Sequence, residues 1–125
     1  MQHANGFLKM VMKAKENIEE VSVEYTHDLL NNKVANQDYY LIDVREDHEW
    51  DEGYIPNAIH LSKGVIERDI EKKIFNKDAE LILYCRSGYR SLLAGESLRQ
   101  MGYTNVKSME DGYSGWIKNQ YPIVD

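Results

Sequence analysis

The chain has one cysteine, Cys85, in 125 residues. A single thiol excludes an internal disulfide and any metal site built from several cysteines. It is either a small buried apolar group or a reactive one. Proline is scarce, with only Pro56 and Pro122, and there is no low-complexity linker or internal repeat. No stretch is long and apolar enough to span a bilayer, so no membrane partner is expected. Lys9, Lys13 and Lys15 interrupt the apolar residues of the N-terminus. They break the apolar core that a secretory signal requires. The expected location is the cytoplasm, where a thiol stays reduced. Positive charge is also in deficit, 15 Lys and Arg against 21 Asp and Glu, a net charge of −6. Nucleic acid is therefore not expected as a partner, because phosphate binding needs a basic face.

A chain of this length makes one domain and buries roughly two-thirds of its unfolded surface, enough to fold without covalent staples. Residues 1–20 read as an amphipathic helical extension, with Phe7, Val11, Ala14 and Ile18 at helical spacing. This helix either packs on its own domain or offers a homodimer or partner contact, and both readings stand on the sequence. Residues 21–125 form the domain proper. Strand segments (around Val21, "YYLIDV", "AIHLS", "ELILYC", "NVKSM") alternate with helical ones. Ser22 is a helix N-cap with Glu24 in the first turn. Ile66, Ile70 and Ile74 lie on one stripe, as do Ala94, Leu98 and Met101 of a helix starting at Ser91 and stopping at Gly102. This alternation predicts an α/β domain with a mainly parallel sheet and helices on both faces. In such sheets ligands sit at the carboxyl ends of the strands. Asp43 and Cys85 each end an apolar strand, and so share that edge.

Cys85 opens the stretch Cys85-Arg86-Ser87-Gly88-Tyr89-Arg90, between a strand and a helix. A tight loop there turns several N–H groups inward, and the helix adds its positive end. Both favour a thiolate over a thiol. Gly88 suits a positive φ or a close backbone approach. Arg86 and Arg90 bring charge and bidentate donors for an anion; otherwise they are solvated or pair with an acidic neighbour. The stretch places a nucleophile inside an anion site.

These residues resemble the rhodanese sulfurtransferases, whose active-site loop begins with the catalytic cysteine and has six residues before the helix. Upstream, "LIDVREDHEWDEGYIPNAIHL" is similar to the family's Asp-Val-Arg-Glu strand end and Ile-Pro turn. Downstream, "EDGYSGW" resembles its glycine-rich segment ending in tryptophan. The resemblance begins near residue 20. It implies a three-layer domain around a central five-stranded, mainly parallel sheet. It also implies a Cys85 nucleophile that takes sulfur from an anionic donor such as thiosulfate and passes it to a thiol or cyanide. A protein persulfide is an alternative donor. Residues 86–90 would bind substrate, Arg86 and Arg90 through charge, and Ser87 and Tyr89 only by lining the mouth. Asp43 and Arg45 would brace the loop. No metal or organic cofactor is implied. Tyr54, Asn57 and Asp111 depart from residues frequent in the family, and Arg90 stands where some thiosulfate-using members carry threonine. Two other readings are a non-catalytic binding module and a cysteine phosphatase. The phosphatase loop has five residues between Cys and Arg; here there are four.

Overall fold

In a computed structural model, described for residues 3–32 and 38–125, five parallel strands form one sheet in the order β1-β5-β4-β2-β3. The strands are β1 (Glu19–Val21), β2 (Tyr39–Asp43), β3 (Ile59–His60), β4 (Glu80–Tyr84) and β5 (Asn105–Met109). The helices are α1 (Asn5–Lys15), α2 (Val23–Asn31), α3 (Asp47–Glu52), α4 (Ile66–Asp69), α5 (Tyr89–Gln100) and α6 (Gly112–Lys118), with a 3₁₀ turn at Ile70–Lys72. β4 lies at the centre and is buried along its whole length, as a strand covered on both faces must be.

Side chains alternate across a strand, so the three inner strands β2, β4 and β5 each feed two cores. Leu81, Leu83 and Cys85 face α5 and the stripe Ile66, Ile70 and Ile74. Ile82 and Tyr84 face the opposite side, where Tyr113 and Trp116 of α6 pack with Val23 of α2. The Ser22 hydroxyl accepts the Tyr25 N–H at 3.0 Å and caps α2. A third cluster joins α1 to the outer side of α5 through Val11, Ala14, Ile18, Leu92 and Leu93. The apolar stripe of α1 is thus spent on α5, and Met10 and Met12 lie exposed on its other side. The boundary expected at residue 20 falls inside β1.

α5 begins two residues before Ser91. Gly88 is its N-cap, and Tyr89 and Arg90 belong to its first turn. Asn57 and Asp111 take φ of 71° and 65°. Asparagine and aspartate are the non-glycine residues that tolerate this region best.

Candidate active site

The chain passes from β4 to α5 in four residues, 85–88. Gly88 takes φ 104°, an angle most side chains forbid, and its N–H turns back to donate to Cys85 Sγ at 3.1 Å. The thiol is 1% exposed and lies beneath the positive end of a 12-residue helix. Two further amides hold the loop from outside. Tyr113 N–H donates to the Cys85 carbonyl at 2.8 Å, and Ser114 N–H to the Arg86 carbonyl at 3.0 Å. A trans peptide points its N–H opposite its carbonyl. The Arg86 and Ser87 amides are therefore turned away from α6.

Asp43 and Arg45 sit at the same sheet edge but on the other face. Strand parity puts them with Tyr84 and Tyr113, opposite the side to which Cys85 points. Both carboxylate oxygens of Asp43 accept from Arg45, at 2.8–3.1 Å, and Arg45 also donates to the Gly53 carbonyl at 2.6 Å. Burial works against the guanidinium's charge, but Asp43 carries its pKa above the ordinary value. Arg45 lies 4.0 Å from the Tyr113 ring centroid, a cation–π contact. The Arg45 guanidinium thus lies against the ring of the residue whose amide holds the Cys85 carbonyl. The pair presents no free carboxylate to the thiol.

The two arginines of the loop differ. Arg90 donates to both Glu49 oxygens, at 2.7 and 3.1 Å. Arg86 Nε stands 3.6 Å from the same carboxylate, and its side chain is 58% exposed. Glu49 also accepts the Glu46 N–H at 3.0 Å, capping α3. The Arg90 hydrogen bonds outweigh desolvation and pull the Glu49 pKa down to about 2. Arg90 in turn is raised, through Glu49 first and also through the nearby Cys85. Glu49 gave no signal in the sequence, being one carboxylate in the acidic run 46–52.

Ser87 is exposed beside a polar depression of about 560 Å³ lined also by Asp111, Ser114 and Lys118. Tyr89 turns to the N-terminal helix, its ring centroid 6.2 Å from that of Phe7 and 5.3 Å from that of His3. His60 is held by the Arg45 carbonyl at 2.8 Å and stacks on Trp50. Among the described residues, Ser91 makes the other polar contact to the thiol and Ser108 backs it. Ser91 Oγ is 3.5 Å from Sγ and 2.7 Å from Ser108 Oγ.

A family model described as the rhodanese-like domain matches residues 22–119. The chain belongs to that family. This rhodanese domain is 42% identical over 82 residues to "Putative sulfurtransferase YtwF" of Bacillus subtilis, covering 66% of this chain and 77% of that protein. It is 34% identical over 102 residues to a "Sulfurtransferase" of Allochromatium vinosum, covering 81% and 94%. These relatives support sulfur transfer as the general activity of the rhodanese. A solved structure from Rhodopseudomonas palustris, described as a protein of unknown function and possible tyrosine phosphatase, superposes with a TM-score of 0.86 at 26% identity. That likeness covers 99% of this chain and 98% of the other.

Proposed function

We propose that this rhodanese moves a sulfane sulfur from an anionic donor such as thiosulfate to a thiol or cyanide through a persulfide on Cys85. The observation that carries this reading is the buried Sγ beneath the Gly88 N–H, at the foot of a loop whose carbonyls are tied to α6. In the first step the Cys85 thiolate attacks the outer sulfur of thiosulfate. The S–S bond of the donor breaks, and sulfite leaves with its electron pair. In the second, the acceptor attacks the outer sulfur of the persulfide and Cys85 returns as thiolate. This is double-displacement covalent catalysis. The Arg86 and Ser87 amides, with the helix end, face the transferred sulfur. Arg86, the freer cation, meets the donor's anionic end, while Arg90 shares its fork with Glu49. No metal or organic cofactor takes part, and the protein works in the cytoplasm.

The phosphatase reading suggested by the Rhodopseudomonas structure is disfavoured by loop size. Four residues separate Cys85 from Arg90. A ring for three phosphoryl oxygens needs one more, and a donor misplaced below about 120° loses most of its hydrogen bond. The test runs thiosulfate:cyanide sulfur transfer and aryl phosphate hydrolysis on one preparation, with Cys85→Ser as the blank. Cysteine-dependent sulfur transfer with negligible phosphatase turnover is expected. The reverse ratio would move the protein to the other class.

A further inference from the structure

Two serines buried between α5 and β5 form a chain that ends on the reacting sulfur. Ser91 and Ser108 are both 0% exposed. Their only side-chain partners among the described residues are each other and Cys85 Sγ. The direction of the chain follows from counting protons. Each hydroxyl has one to give. If the thiol donated to Ser91, and Ser91 to Ser108, the Ser108 proton would be buried without an acceptor, at a cost comparable to a lost hydrogen bond. In the opposite order, Ser108 donates to Ser91 and Ser91 donates to Sγ, and every proton has a place. That order is complete when the sulfur carries no proton.

We infer that Ser91 is a catalytic hydrogen-bond donor to Cys85 Sγ and that Ser108 positions it, the pair acting on discharge of the persulfide. This rests on the sulfur-transfer reading of Cys85. In the persulfide, Sγ is a neutral divalent sulfur and a weak acceptor. When cyanide attacks the outer sulfur, a C–S bond forms and the Sγ–S bond breaks. The bonding electron pair passes to Sγ, thiocyanate leaves, and Cys85 is again a thiolate. A hydrogen bond to an ionised acceptor is roughly twice as strong as one to a neutral one. The Ser91 bond therefore tightens as the transition state is approached, and only interactions of that kind speed the chemical step. The Gly88 N–H does the same from the loop side.

The test is single-turnover discharge. Protein is loaded with thiosulfate, desalted, and mixed with cyanide, and thiocyanate is followed in time. Starting from the persulfide makes the rate blind to the protonation of the resting thiol. Ser91→Ala should load one sulfur by mass yet discharge about tenfold or more slowly. Ser108→Ala should be slowed less, and the double variant no more than Ser91→Ala alone, since both sit on one chain. Ser91→Thr, which keeps the hydroxyl, should discharge faster than Ser91→Ala. A purely packing role would make the larger threonine the worse of the two. Ser91→Ala discharging within about twofold of wild type, or more slowly with threonine than with alanine, would overturn the inference. Wild-type protein that takes up no sulfur would instead overturn the reading of Cys85.

Discussion

The Tyr113 amide donates to the carbonyl of Cys85 at 2.8 Å, so the first turn of α6 fixes the peptide that follows the nucleophile. The contact requires Gly112, which precedes Tyr113 with φ 50°. A Cβ at Gly112 would press on the Cys85 carbonyl oxygen and stand 2.8 Å from the Arg86 carbonyl group, all of it backbone that cannot swing aside. Gly112→Ala should therefore shift the loop. We expect a loss of stability on the order of 1–3 kcal/mol, from strain at a positive φ. Sulfur uptake by the folded fraction should also slow. Denaturant unfolding and single-turnover loading check the two effects separately.

Glu49 ties folding to acid pH. Its pKa is lower in the folded chain, about 2, than the ordinary 4.5, chiefly through Arg90. Ionisation therefore favours the folded state. The contribution is fully present above about 4.5 and is lost as pH falls toward 2. A difference of this size corresponds to roughly 3 kcal/mol. Unfolding free energy measured from pH 6 to pH 2 should decline over that window, and the Glu49→Gln profile should be correspondingly flatter. Identical slopes for the two proteins would show that the pair contributes nothing.

Removing the arginines should have different consequences. Arg86→Ala should lower kcat/KM for thiosulfate by roughly tenfold or more, as for a lost hydrogen bond to a charged group, and leave stability nearly unchanged. Arg90→Ala should lower both, because it strands a Glu49 side chain that is only 9% exposed. Steady-state kinetics and melting temperature together separate donor binding from bracing. Wild-type kcat/KM in both variants would remove the arginines from donor recognition.

Asp43→Ala leaves the Arg45 charge buried and unpaired. Such a loss costs about 3–5 kcal/mol. The protein that remains folded at low temperature should still load sulfur on Cys85, since Asp43 lies on the opposite face of the sheet. Loading that vanishes while the fold persists would give Asp43 a direct chemical role.

The strand–helix alternation, the sheet edge shared by Asp43 and Cys85, and the stripe Ile66, Ile70 and Ile74 were legible in sequence because each is a local pattern. Glu49 was not, because the arginine that singles it out is 41 positions away and four other carboxylates crowd the same run. Ser91 reads in the sequence as the first residue of a helix. Gly88 is the N-cap of that helix, which makes Ser91 the third residue of α5 and turns its hydroxyl inward. Ser108 is read only with its partner on α5, 17 positions earlier. The split between Arg86 and Arg90 depends on the same tertiary contact with Glu49. Charge counting makes the two arginines equivalent, and only the packing of α3 against the loop distinguishes them.

In the proposed function, Cys85 carries the sulfur in transit. Intact mass of reduced protein after brief exposure to thiosulfate tests it most directly. A gain of one sulfur atom on Cys85 is expected, removed by cyanide with release of thiocyanate, and no gain for Cys85→Ser. An unchanged mass in a protein that still produces thiocyanate, or production at the wild-type rate by Cys85→Ser, would contradict it.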